Sequence, residues 1–130
     1  MLLDTHIAFW LMFVPERLKP GEIGAIAAER LRLGVSVVSL WELRIKWHRR
    51  FTSGERKGPA DPASLLPALA LARIATIDLT PAICVADLDP PLDHSDPFDV
   101  LLLTHAQQEG CRLLTRDGKL AGHPVALVVS

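Results

Sequence analysis

The sequence predicts an α/β fold with a central, mainly parallel sheet of four to five strands covered by helices. Three observations carry that reading. Short apolar runs recur along the 130 residues, and each is followed by a stretch with helical spacing. The runs are continuous rather than alternating, as in strands buried on both faces. The connections between them are long enough for helical crossovers. With 49% hydrophobic and 22% charged residues and a mean hydropathy of +0.25, the chain has material for one substantial core. A single domain over residues 1–130 is the expectation.

The elements follow in order. MLLD is a first strand that ends in a carboxylate, and Thr5 precedes the helical stretch HIAFWLMF. Pro15 and the Lys19-Pro20-Gly21 break separate that helix from a second, IGAIAAERLRL, whose apolar residues recur at helical spacing. VSVVS, residues 35–39, is β-branched and reads as a strand leading into the helix LWELRIKWHRRF. After the polar TSGERKGPAD, Asp61 and Pro62 offer an N-cap and a first-turn proline for an Ala- and Leu-rich helix. ATIDL reads as a third strand, and Thr80-Pro81 restarts a short helix through about Ala86, ahead of LDPPLDHS. From Asp96, DPFDVLLLTHAQQEG is helical, with Gly110 as its C-terminal cap. CRLLT and VALVV then form two last strands joined by RDGKLAGHP.

Composition removes several classes of function. Cys84 and Cys111 have no CxxC spacing, which speaks against a disulfide framework or a thiolate zinc site. The histidines show neither HxH nor HExxH, and there is no Walker loop, GxGxxG or GxSxG. No apolar run approaches the roughly 18 to 20 residues a membrane span needs, and MLLDTH lacks the charged start of a signal peptide. A soluble, cytoplasmic protein with no membrane partner is the expectation. The formal net charge is −1, so any nucleic-acid footprint has to be local. One exists between Leu43 and Ala60, where Arg44, Lys46, Arg49, Arg50, Arg56 and Lys57 face only Glu55. Such a run is usually a solvated helix face, and it is also what phosphate contacts would use.

The acids are more specific. Asp4 ends the first strand, Glu42 lies in the first turn of the helix after VSVVS, Asp99 lies in the first turn of a later helix, and Asp117 follows CRLLT. In open parallel sheets the carboxyl ends of the strands form the ligand crevice. Four carboxylates gathered there repel one another, and a hard divalent cation, Mg²⁺ or Mn²⁺, is the usual remedy. Such an ion polarises a phosphoryl oxygen and activates water, so an acidic pocket beside a basic patch points to phosphodiester hydrolysis.

Each acid also has a structural use. Ser39-Leu40-Trp41-Glu42 fits a capping box, and Glu42 is spaced to pair with Lys46. Asp4 is placed to cap the first helix, and Asp117 precedes Gly118 as in an ordinary turn. Asp96, directly before Pro97, is placed as an N-cap. Asp99 shares a stripe with Leu102, Leu103 and Ala106, and a carboxylate on an apolar face needs a partner.

Four segments, MLLDTHIAFW, SVVSLWELRIK, HSDPFDVLLLTHA and LLTRDGKL, carry a resemblance that spans nearly the whole chain. In that order they resemble the PIN-domain ribonucleases, and within them the VapC-type toxins of bacterial and archaeal toxin–antitoxin modules. The resemblance implies a PIN-like three-layer α/β/α sandwich and Mg²⁺- or Mn²⁺-dependent endoribonuclease activity. It also implies a homodimer and a cognate antitoxin. The family's metal-binding acids fall on Asp4, Glu42, Asp99 and Asp117. Thr115 falls on a small hydroxyl residue near the metal's water shell, and Asp96 on the aspartate that opens the helix.

Val100 stands where the family commonly has arginine, and Thr104-His105 replaces a more usual alanine–glutamine pair. The implied reaction is in-line attack of an activated water on an RNA phosphodiester, leaving a 5′-phosphate and a 3′-hydroxyl. Arg44, Lys46, Arg49 and Arg50 are candidates for the RNA backbone, with a structural or antitoxin-facing role as the alternative. A non-catalytic or impaired relative that keeps the fold and binds RNA or an antitoxin is the second functional reading. A receiver-type phosphoacceptor is disfavoured, because VALVVS supplies no lysine near the pocket.

Overall fold

The computed structural model describes every residue except Lys57, Pro59, His94 and Ser95. Its strands are β1 (Leu2–Leu3), β2 (Gly34–Ser36), β3 (Ala75–Ile77), β4 (Leu113–Leu114) and β5 (Ala126–Leu127). Its helices are α1 (Thr5–Phe13), α2 (Pro20–Ala28), α3 (Val37–His48), α4 (Pro62–Leu71), α5 (Pro81–Val85) and α6 (Pro97–Gln108). The strands form one sheet in the order β3-β2-β1-β4-β5, with every pairing parallel.

Strands of two or three residues contribute few ladder hydrogen bonds, so burial holds the sheet together. Adjacent strand residues point to opposite faces, and two cores result. Leu3, Val35 and Leu114 join Ile7, Ala8, Ile26, Leu65 and Leu69, which come from α1, α2 and α4. Leu2, Leu113 and Ala126 join Leu102, Leu103 and Ala106 of α6. Helix α3 serves both, with Leu43 in the first cluster and Val38 in the second. Each fully buried leucine contributes about 1.5–3 kcal/mol, which is why the sheet lies between two helical layers.

The order of the strands fixes where chemistry can occur. From β1 the chain adds β2 and then β3 on one side, and it crosses back to place β4 and β5 on the other. The strand order therefore reverses between β1 and β4, and the crevice beyond their carboxyl ends is the expected ligand position.

Local chemistry sets the helix boundaries. Asp61 accepts from the Ala63 N–H at 3.0 Å, Thr80 from Ile83 at 3.2 Å and Asp96 from Phe98 at 2.9 Å. The prolines that follow these three caps occupy first-turn positions. Gly110, at φ 69°, ends α6 in the left-handed region that glycine adopts without penalty.

Several boundaries differ from the sequence reading: α2 ends at Ala28 rather than running on through ERLRL, the strands in ATIDL, CRLLT and VALVV are shorter than read, and two helix starts move. The Lys19-Pro20-Gly21 break is the start of α2 rather than a gap before it, because Pro20 occupies the first turn. The strand read as residues 35–39 stops at Ser36, whose Oγ accepts from the Val38 N–H at 3.1 Å and caps α3. Val37 and Val38 are therefore helical despite their β-branching, and Glu42 falls in the second turn of α3. The Ser39–Glu42 capping box does not form, since Ser39 lies inside the helix.

The Thr104-His105 pair points inward. Thr104 Oγ1 donates to the Val100 carbonyl at 2.7 Å, and His105 is 0% exposed. Its Nδ1 lies 2.7 Å from Ser36 Oγ. Ser36 Oγ also accepts from the Val38 N–H. Nε2 has no hydrogen-bond partner among the described residues and stands 3.8 Å from the Glu109 carboxylate. Burial lowers the His105 pKa below its ordinary 6.5, against the upward pull of Glu109 and the Asp78 backbone.

The unfolded chain therefore takes up this proton more readily than the folded one. The contribution is fully present above the unfolded value near 6.5 and is lost as pH falls from there through the lowered folded pKa. Thermal melts between about pH 8 and 5 should show the midpoint dropping below about 6.5, and His105→Gln should flatten that drop. An equally steep drop in the variant would refute the assignment.

Candidate active site

The residues at the β1–β4 crevice are held by a chain of short hydrogen bonds. Asp4 leaves β1 and caps α1, accepting from the Thr5 N–H at 2.7 Å. Its other oxygen accepts from Thr115 Oγ1 at 2.6 Å, directly beyond β4. Thr5 Oγ1 donates to Glu42 Oε1 at 2.6 Å. That bond uses the hydroxyl's single proton, so Ser39 Oγ, 2.9 Å away, is the donor of its other contact. The Asp117 N–H donates to Thr115 Oγ1 at 3.1 Å, while its carboxylate caps the short turn Gly118–Leu120 through Lys119 N at 2.9 Å.

Asp4, Ser39, Glu42, Thr115 and Asp117 are thus drawn together from both ends of the chain, and Thr5 links them. Thr5 is buried and was not singled out from sequence, where it looked only like a residue before a helix. Asp96 is the α6 cap. Asp99, one turn in, is half-buried on a helix that packs against α3. Among the described residues, no three His, Cys, Asp or Glu side chains come together as a ready-made metal site.

Electrostatics sharpen the picture at Asp4. Burial pushes its carboxyl above the ordinary value of 3.8, and the neighbouring Glu42 pushes the same way. The bonds from Thr115 and the Thr5 N–H pull it back. A charged carboxylate beside a buried one raises the buried group's proton affinity, and a cation there relieves it. Lys46 meets part of that need with an ion pair to Glu42 at 3.2 Å, the i, i+4 pairing that the spacing offers.

The basic run does not form one face. Arg44 pairs with Asp61 at 3.6 Å, and Arg50 donates to the Gly54 carbonyl at 2.8 Å. Arg56 donates to the Trp47 carbonyl at 2.8 Å and stacks 4.3 Å over the Trp47 ring. Lys57 lies outside the described residues. Lys46 and Arg49 alone of the described cations in that run border a cavity of about 540 Å³ beside Glu42.

A buttress stands behind the crevice. Arg116, between Thr115 and Asp117, binds the fully buried Glu22 of α2 through Nε at 2.8 Å and through Nη2 at 2.5 Å. It also donates to the Arg17 carbonyl at 2.7 Å and lies 4.2 Å over the Trp10 ring. The guanidinium holds Glu22 below the ordinary carboxylate range. No local pattern announces a partner 94 positions away, and the sequence reading assigned Glu22 no role.

The PIN domain family profile matches residues 1–124, so the chain belongs to the PIN domain family. It is 33% identical over 125 residues to Ribonuclease VapC22 of Mycobacterium tuberculosis, covering 95% of this chain and 91% of that protein. Among solved structures, VapBC2 from Rickettsia felis, bound to a DNA fragment from its promoter, superposes with a TM-score of 0.64 at 18% identity. That match covers 98% of this chain and 96% of the other. DNA-bound VapBC from Salmonella typhimurium gives 0.61 at 15% identity, over 98% and 95% of the two chains. These two likenesses show the shared fold.

Arg116→Gln removes the guanidinium from the buried Glu22 and leaves that carboxylate with only the Lys19 N–H, which donates to it at 2.8 Å. Loss of such a partner costs about 3 kcal/mol. Urea unfolding should show the midpoint falling with little change in slope. Stability equal to the unsubstituted protein would mean that Glu22 is satisfied some other way.

Proposed function

We propose that this chain is a divalent-metal-dependent endoribonuclease and the toxin of a type II toxin–antitoxin module. One observation carries the catalytic part. Asp4, directly after β1, and Glu42, in the second turn of α3, meet at the sheet's switch point, and the hydroxyls of Thr115 and Thr5 orient them at 2.6 Å each. The relative named Ribonuclease VapC22 and the toxin–antitoxin complexes sharing the fold, including one from Klebsiella pneumoniae at TM-score 0.61 and 19% identity, support the biological part. A protein antitoxin and a second copy of the chain are the partners this reading implies. No described helix is long and apolar enough to cross a membrane.

The donor set fits Mg²⁺ or Mn²⁺. It consists of oxygen ligands only, and Mg²⁺ is usually held by one or two carboxylates with water completing its shell. Asp4 and Glu42 would hold the ion, with Asp99 and Asp117 acting through water. The ion, when bound, supplies Lewis acidity toward a phosphoryl oxygen and acidifies its water. The chain's own part is orientation and charge. Thr115 and Thr5 fix the carboxylate rotamers, Lys46 holds Glu42, and Asp96 starts α6 so that Asp99 sits one turn in.

The test is cleavage of labelled RNA by purified protein, free of antitoxin, with Mg²⁺, Mn²⁺ or EDTA. EDTA should abolish cleavage. Asp99→Asn should reduce it by about 10- to 100-fold, the range for loss of a partner that acts on a metal through an intermediary. Asp96→Asn should retain most activity, because asparagine also caps. Cleavage that persists in EDTA sinks the metal mechanism. RNA binding without any cleavage would favour the impaired-relative reading.

A further inference from the structure

The segment that follows β4 serves two sides of the molecule. Consecutive residues of an extended chain point in opposite directions. Thr115 turns into the crevice, where its hydroxyl donates to Asp4 at 2.6 Å and accepts from the Asp117 N–H at 3.1 Å. Arg116 turns the other way, onto α1, the Pro15–Arg17 turn and α2. There its guanidinium donates twice to Glu22, at 2.8 and 2.5 Å, and once to the Arg17 carbonyl at 2.7 Å. It also covers the Trp10 ring at 4.2 Å. Glu22 is 0% exposed and takes a further bond from the Lys19 N–H at 2.8 Å.

A buried ion pair is a poor source of stability, because apolar residues of similar volume often hold a core as well. What a bidentate guanidinium–carboxylate pair adds is direction, since its two parallel bonds admit one orientation. Contacts with three elements therefore fix where the backbone at Arg116 stands. On the sheet side, the Thr115 N–H is tied to the Leu127 carbonyl of β5 at 3.1 Å. The residues on either side of Arg116 are the two through which this segment reaches the crevice.

Resting on the proposed metal-dependent function, we propose that Arg116, held by Glu22, is a positioning residue for the crevice. It sets the Thr115 hydroxyl against Asp4 and keeps Asp117 beside it, and through them it raises the site's affinity for a divalent cation. Arg116 acts through its neighbours and not by touching the cation. Glu22 thus bears on a site to which α2 supplies no side chain.

The test has a metal-free and a metal-loaded arm. Arg116→Lys keeps a positive charge beside Glu22, but a point charge on a flexible stem does not reproduce the paired bonds. In EDTA, amide hydrogen exchange resolved by NMR should quicken at Thr5 and Asp117, whose N–H groups donate to Asp4 and Thr115, more than at the amides of α4. In Mn²⁺ titrations followed by electron paramagnetic resonance, with the variant folded, affinity should fall about 10-fold, the lower end for groups that act on a metal through its ligands. Glu22→Gln should give a similar loss, and the double variant little more than either alone, because both act through one contact. Leu69→Ala is the control for stability. It opens a cavity in α4, which supplies no crevice side chain, so it should lower the melting temperature and leave Mn²⁺ affinity unchanged.

Unchanged Mn²⁺ affinity in folded Arg116→Lys, or unchanged exchange at both amides, overturns the positioning role. So does an equal loss of Mn²⁺ affinity in Leu69→Ala, since the pair would then act through stability alone. An unsubstituted protein that binds no Mn²⁺, but whose Thr5 and Asp117 amides respond to Arg116→Lys, refutes the metal mechanism and leaves Arg116 as the residue that positions Thr115.

Discussion

Everything at the functional edge follows from placing a carboxylate at the end of the central strand. β1 is flanked on both sides by parallel strands, and Leu2 and Leu3 are buried in opposite cores. The chain leaves that environment through Asp4, with little water to share the charge. An unpaired carboxylate there costs several kcal/mol, so the surrounding sequence is committed to it: a backbone N–H from Thr5, a hydroxyl from Thr115, and the opposing demands of Glu42 and Lys46. A site that raises a carboxylate's proton affinity by burial and then places a second carboxylate near it is poised to accept positive charge.

The rigidity behind that edge comes from polar contacts spanning long sequence distances. Arg116 joins the loop after β4 to α2 through Glu22, and Ser36 joins the start of α3 to α6 through His105. Each ties one helical element to the carboxyl end of a strand, so the two walls of the crevice are referenced to the sheet rather than to each other. The substitution of Thr104-His105 for the family's commoner pair is accordingly an internal matter. Thr104 bonds within α6 and His105 is wholly buried, which leaves the outer face of that helix to Val100 and its neighbours.

What could be read in advance was what local chemistry decides. Asp61-Pro62, Thr80-Pro81 and Asp96-Pro97 each announce a helix start because cap and first-turn proline are neighbours in sequence, and Gly110 announces an end for the same reason. The alternation of Leu2 and Leu3 between two cores followed from apolar runs that needed covering on both faces. The Ser36 boundary was hidden because Val37 and Val38 favour strands, and only the Ser36 hydroxyl, turned back on the Val38 N–H, makes them helical. Thr5, Glu22 and His105 were hidden because their meaning depends on partners 34 to 94 positions away. The site acids were legible as types in an order, but whether each caps, pairs or binds was not. Asp4 and Asp117 turn out to cap helical turns while also standing at the crevice.

The cations show how a single functional surface can be assembled from a run that looks uniform. Net charge within the run predicts a basic face, yet Arg44, Arg50 and Arg56 are drawn off by Asp61, the Gly54 carbonyl and Trp47. Each such contact stiffens the segment after α3. What is left pointing toward the crevice is Lys46 and Arg49, one spent on Glu42, and the deficit is made up by Lys119 from the far end of the chain. Charge counted along the sequence therefore overstates the footprint within that run and misses the cation outside it. Where the remaining cations stand around the cavity beside Glu42, rather than how many the run contains, decides which surface is basic.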